Sequence, residues 1–185
     1  MRVLGISGSL RSGSLNSKLL RAAGELIEEQ GHEFVVLDGL KDVPPYDQDD
    51  DGADTPAAVA RLRDELAGAD AFLFATPEYN SSIPGVLKNA VDWASRPLKT
   101  NPLRNKPAAV VGASTGMFGA VWAQEELRKV LGAAGARVVE GEVAVGHAED
   151  RFDADGHLDD DDIRDQLREI SRLLAEELQP QRIAA

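Results

Sequence analysis

The chain contains no cysteine among its 185 residues. Disulfides, thiolate nucleophiles and cysteine-ligated clusters are therefore excluded, and any redox role needs a borrowed cofactor. No segment approaches the roughly 20 apolar residues that span a bilayer. The apolar opening from Met1 to Gly8 is also too short for a signal peptide, so the expected compartment is the cytoplasm, without membrane association. Positive charge is scarce: 20 basic against 32 acidic side chains leave a formal net charge of −12. Such a surface repels phosphate polyanions except where basic groups gather locally, which argues against general nucleic-acid binding. His32 and His147 stand apart from other ligand-type residues, so no metal site is expected.

What is present is a regular alternation of apolar runs and helical periodicity. That pattern predicts a parallel sheet covered on both faces by helices, within one domain spanning 1–185. Arg2 to Ser7 reads as the first strand, followed by a helix from Leu15 to Gln30 that Gly31 stops. His32 to Leu37 is the second strand. Thr55-Pro56 then opens a helix, as N-cap and first helical residue, that ends near Gly68. Asp70 to Thr76 is almost continuously apolar and is expected in the middle of the sheet. Gly85 to Arg96 follows as a helix with Val86, Leu87, Ala90, Val91 and Trp93 inward. Lys106 to Gly112 gives the fourth strand and Ala120 to Ala134 the fourth helix. Arg137 to Val145 supplies a fifth strand with Gly141 as a candidate interruption, and Ile163 to Leu178 the last helix. The acidic clusters at Asp47 with Asp49 to Asp51, and at Asp159 to Asp162, read as a solvated loop and a helix start. Asp153-Ala154-Asp155-Gly156 lacks the third ligand and closing glutamate of a calcium loop.

In a doubly wound sheet of order 2-1-3-4-5, the connections leaving strands 1, 3 and 4 meet at the carboxyl edge beside the topological switch point. Those three connections carry the unusual chemistry. The first, Gly8 to Asn16, offers Ser9, Arg11, Ser14 and Asn16 just ahead of a helix, which suits a phosphate: helix-start amides, hydroxyls and a guanidinium fork converge there. The second, Pro77 to Gly85, is stiffened by two prolines and could grip a planar ligand. The third is Ala113 to Gly119. Gly8 and Gly13 have P-loop spacing, but position 14 is Ser where the phosphate-binding lysine belongs. The dinucleotide fingerprint fails too, because two residues rather than one separate Gly5 from Gly8. Gly112-Ala113-Ser114-Thr115-Gly116 does match a nucleophile elbow, and Asp150 or Asp153 with His157 follows in hydrolase order. Against a serine hydrolase, Met117, Phe118 and Gly119 delay the helix, and the acid and base sit in an acidic segment.

The stretches Gly8-Ser9-Leu10-Arg11 with Ser14 and Asn16, Pro77-Glu78-Tyr79-Asn80 with Ser82-Ile83-Pro84-Gly85, and Leu87-Lys88-Asn89-Ala90-Val91-Asp92-Trp93 resemble the NAD(P)H-dependent FMN reductases, including bacterial quinone and chromate reductases. The resemblance implies a three-layer α/β/α flavodoxin-like fold with a five-stranded parallel sheet, one FMN per subunit, NADPH or NADH as donor, and a small-molecule electron acceptor. It further implies that Ser9, Arg11, Ser14 and Asn16 hold the phosphate. Pro77, Glu78, Tyr79, Asn80 and Ile83 would line the ring and ribityl chain, with Ser114 and Gly116 closing the other edge. No protein side chain need act as catalyst, since the flavin carries the redox step. A homodimer, or a homotetramer, is implied as well. Here the chain departs from its relatives, carrying Trp122 and Glu125 where they use an arginine and its partner in subunit contacts. A flavodoxin-type electron carrier is the alternative with the same fold and cofactor.

Overall fold

A computed structural model of the chain describes residues 1–52 and 54–178. Residues 53 and 179–185 of the expected 1–185 domain lie outside the described residues. Strand β1 (Arg2–Ser7), helix α1 (Leu15–Glu29), strand β2 (Glu33–Val36), helix α2 (Ala57–Ala67), strand β3 (Ala71–Thr76) and helix α3 (Gly85–Ala94) form the first half. Strand β4 (Pro107–Ala113), helix α4 (Val121–Ala134), the short strands β5 (Arg137–Val138) and β6 (Val143–Val145), and helix α5 (Asp161–Leu178) complete it. All pairings are parallel in the order β2-β1-β3-β4-β5, with β6 also on β4. This is the flavodoxin-like order.

Alternation along each strand explains the layers. In β1, Leu4 and Ile6 face the α2, α3 and α4 layer, while Val3 faces α1 and α5. Every residue of β3 and β4 is buried, as expected of central strands covered on both sides. The amphipathic stripe of α1 buries Leu19, Leu20, Ala23, Leu26 and Ile27. In α5, Leu167, Ile170 and Leu174 are buried, with Ile163 and Leu173 packed alongside.

Two sequence expectations need correction. The fifth strand is two pieces: beyond the Val139 amide, which still donates to the Ala108 carbonyl at 2.9 Å, the chain leaves the sheet until Val143, and the Arg128 guanidinium reaches from α4 to the Val110 and Gly141 carbonyls at 3.2 and 2.9 Å. The sheet therefore has six strand segments rather than five. Burial lowers the pKa of that guanidinium, opposed by nearby Glu142 and Glu125. Thr55 does not cap α2. Its hydroxyl donates to the Gly52 carbonyl at 2.8 Å, and Pro56 takes the N-cap position without a side-chain cap bond. The Leu87 to Trp93 stretch also serves the fold directly. Asn89 Nδ2 and Trp93 Nε1 both donate to the Pro44 carbonyl at 2.8 Å, tying down the long connection after β2.

Phe34 occupies a notch whose walls are Gly5 and Gly24, where a Cβ would fall far inside contact distance of its ring. Gly24→Ala is therefore expected to lose about 1–3 kcal/mol of stability through overpacking, despite better helix propensity. Gly132→Ala, in α4 with open space around it, is expected to gain about 0.5 kcal/mol. Chemical denaturation of the two variants should give shifts of opposite sign; a common sign would contradict the notch.

Candidate active site

The parallel register brings Ser7, Ala75 and Val111 to one level, so the connections after β1, β3 and β4 all emerge at one edge of the sheet. Between them lies a cleft of about 290 Å³. A larger cleft of about 360 Å³ beside β2 sets Asp38, Asp42 and Glu65 against Arg61, the wrong balance for a phosphate.

The first wall is the start of α1. Ser14 is the N-cap: its backbone is extended and its Oγ accepts from the Ser17 amide at 3.2 Å. Helix geometry leaves the Leu15 and Asn16 amides without intrahelical acceptors, and the helix dipole favours an anion there. Ser9, Arg11 and Ser14 line this end of the cleft. Arg11 bonds its own loop, Nη2 donating to the Gly13 carbonyl at 2.9 Å, and its exposed guanidinium retains further donors. Gly8 makes the close approach possible: a Cβ there would lie 2.9 Å from Leu87 Cδ2.

Asn16 lines the cleft but its side chain is committed elsewhere. Only 3% exposed, it donates from Nδ2 to the Ala113 carbonyl at 2.8 Å and accepts at Oδ1 from the Ala113 amide at 2.9 Å. The first turn of α1 is thus joined to the end of β4 through one side chain.

The second wall is the connection after β3. Tyr79 and Ser82 exchange backbone bonds of 3.0 and 3.1 Å around Asn80 and Ser81, which have φ of 54° and 59°. This is a type I′ hairpin turn built without glycine, and left-handed backbone costs roughly 1–2 kcal/mol per residue, less for Asn. Pro77, Glu78 and Tyr79 line the cleft, with Tyr79 54% exposed at its mouth. Asn80 sits at the exposed hairpin tip, while Ile83 is buried in the core, so neither side chain borders the cleft. The Glu78 carboxylate turns away to the N-terminus of α4, accepting from the Trp122 and Ala123 amides at 3.1 and 3.2 Å. That helix needs an external cap because its N-cap residue, Ala120, has φ 62° and no side-chain acceptor.

The third wall is held from beneath by β6. Ser114 N donates to the Val145 carbonyl, His147 N to Gly116, and Ala148 N to Ser114, each at 3.0 Å. Gly146 allows this, since a Cβ would collide with the Met117 carbonyl. Ser114 borders the cleft together with Ala113 and Thr115 of the same connection and with Leu15, which no sequence motif marks as a site residue; Gly116 is not among the lining residues. Apolar and neighbouring residues of this kind carry no distinguishing chemistry in sequence. Arg96, Lys99 and Arg104, the basic residues between α3 and β4, lie beyond the far end of α3, at the opposite edge of the sheet; Arg104 approaches Gly135.

The hydrolase arrangement does not assemble. Ser114 Oγ accepts from the Gly116 amide at 3.0 Å and donates to its carbonyl at 3.3 Å, whereas His157 Nδ1 lies 3.2 Å from Asp153 in a separate exposed turn. Asp153, Asp155 and His157 do converge, but all are exposed. Backbone bonds from His157 and Asp155 occupy Asp153 and lower its pKa. No helix among the described residues is long and apolar enough to cross a membrane.

A parallel α/β sheet of this order, with a helix start facing two loop walls at its switch point, is an architecture on which mononucleotides bind. Comparison with known proteins identifies the family. Residues 1–150 match the NADPH-dependent FMN reductase family, to which the chain belongs. An NAD(P)H-dependent FMN reductase of Pseudomonas aeruginosa is 46% identical over 170 residues, covering 91% of this chain and 90% of its own. A 2-hydroxy-1,4-benzoquinone reductase from Burkholderia sp. is 38% identical, with 91% of each covered. Among solved structures, the Paracoccus denitrificans flavoenzyme FerB, an NAD(P)H:(acceptor) oxidoreductase, superposes with a TM-score of 0.86 at 37% identity, covering 96% of this chain and 97% of its own. By that membership the protein is an enzyme of the NAD(P)H-dependent FMN reductase class.

Gly146→Ala should dislodge the third wall and cut quinone-dependent NAD(P)H oxidation at least about tenfold, equivalent to 1.4 kcal/mol. His157→Ala, outside the cleft, should leave that activity within about twofold. A large loss in a folded His157→Ala protein would instead bring the exposed turn into the reaction.

Proposed function

We propose that the cleft holds one FMN per subunit and that the enzyme reduces quinones, free flavin or similar small acceptors by a two-electron ping-pong reaction with NADPH or NADH. The observation that carries this reading is the α1 N-terminus, where capped but unfilled amides, two serines and an otherwise uncommitted guanidinium face one cleft. The residues fit the cofactor. Ser9, Arg11 and Ser14, with the first-turn amides of Leu15 and Asn16, suit the phosphate. The rigid Pro77 to Asn80 segment and the Ser114 to Gly116 loop offer flat walls and backbone amides to the ring system. Asn16 and Glu78 serve the cofactor indirectly, by fixing the walls, and Ile83 does so from the core.

Bound FMN supplies hydride acceptance from a nicotinamide and two-electron transfer to a quinone. The protein provides the rest. Preorganised amides around the ring would stabilise negative charge that develops there, in the manner of an oxyanion hole. The whole chain acting as one FMN-binding domain, its assembly as a homodimer or homotetramer, and residence in the cytoplasm beside the nicotinamide pool belong to the same reading. Exposed Met117, Phe118 and Trp122 offer an apolar surface for subunit contact, with Phe118 and Trp122 already edge-to-face at 5.0 Å.

The purified protein should absorb near about 370 and 450 nm, alone or after addition of FMN. A preparation that stays colourless with excess FMN overturns the proposal. Arg11→Ala should weaken FMN binding about 10- to 100-fold, the loss of a charge-assisted bond, without altering the fold. Initial rates against varied donor and quinone should give parallel double-reciprocal lines; intersecting lines would exclude the ping-pong sequence.

A further inference from the structure

One turn after the amides that receive Glu78, helix α4 returns the contact. Glu126 Oε2 accepts from the Ser82 hydroxyl at 2.5 Å and from the Ile83 amide at 3.4 Å. The two carboxylates therefore run in opposite directions between the same pair of elements. Glu78 reaches from one foot of the hairpin to the start of α4, and Glu126 reaches from α4 to the other foot. Positions 122, 123 and 126 share a helix face at the spacings of three and four that bring side chains together. Between the feet lie Asn80 and Ser81, both with left-handed backbone, a turn that local preference alone would not hold. Lys129, three residues on, makes no ion pair with Glu126 among the described residues, so the carboxylate answers to the hairpin.

We propose that Glu126 is a positioning residue for the flavin site: through Ser82 and Ile83 it fixes the hairpin that carries Tyr79, and thereby sets how tightly and in what environment the flavin is held. The proposal rests on the FMN reading of the cleft. Glu126 acts from behind the wall and touches neither donor nor acceptor, because the cleft is bordered by Pro77 to Tyr79 and not by α4. Glu125 is its natural control, with the same charge on the same helix and no bond to the hairpin.

Two measurements separate the clasp from the cofactor. In the protein without flavin, Glu126→Ala and Ser82→Ala should each speed amide hydrogen exchange across residues 79–83, with Glu125→Ala matching the wild type. In titrations with FMN, both variants should bind about tenfold more weakly and show altered visible circular dichroism, and the double variant should be no worse than either single one. Glu126→Gln keeps an acceptor for the Ser82 hydroxyl and should restore most of the affinity. Exchange, affinity and dichroism of Glu126→Ala equal to those of Glu125→Ala, with wild type binding FMN, overturn this inference alone. A wild type that does not take up FMN overturns the reading of the cleft and this inference with it.

Discussion

The architecture of the site depends on a single buried amide. Asn16 pairs both atoms of its side-chain terminus with the backbone of Ala113, as a neighbouring strand would, and so joins the first turn of α1 to the end of β4. Strand β3 lies between β1 and β4 in the sheet, so no strand pairing joins the first and third walls, and this bridge supplies hydrogen bonds between them. Each bond taken alone is worth about 1 kcal/mol. The penalty for leaving a buried amide unpaired makes the pair much harder to replace than that figure suggests.

The remaining constraints follow the same logic, in which polar side chains near the cleft mostly hold its walls. Gln124, fully buried, donates from Nε2 to the Gly119 and Val143 carbonyls at 3.0 and 3.3 Å, linking the third connection to the last strand. Glu78 supplies the helix cap that Ala120 cannot. The result is a cleft with free donors at one end and a frame in which most other donors are already engaged. That division suits a cofactor protein: binding groups must stay available, while the groups that fix geometry must be satisfied within the fold.

The fold was legible because its signals are additive. Uninterrupted apolar residues in β3 and β4, helical stripes in α1 and α5, and serine-rich or proline-bounded connections at the right strands together leave one topology. The location of the cleft was legible for the same reason, since Ser9, Arg11, Ser14, Pro77, Tyr79 and Ser114 are chemically unusual and lie on the edge that the sheet order selects. What sequence could not carry is direction. Asn16 and Glu78 stand in the motif, but only three-dimensional placement shows their side chains turned from the cleft into the frame. Glu126 looks like one of many acidic residues on a solvated helix, and Gly146 like an ordinary strand end. The split of the fifth strand was hinted at by Gly141, whereas its stabilisation by Arg128 from another element is a long-range contact that no local pattern encodes.

The dependence of the third wall on β6 orders events during synthesis. When a ribosome has released the chain only through β4, the start of α1 and the hairpin segment have already been made, but the loop at Ser114 to Gly116 has no partner. It gains one only when Val145, Gly146, His147 and Ala148 emerge and supply the backbone bonds that pin it. A nascent chain therefore completes the third wall only after β6 and the residues just beyond it have emerged, although the segments that form the first two walls are synthesised earlier.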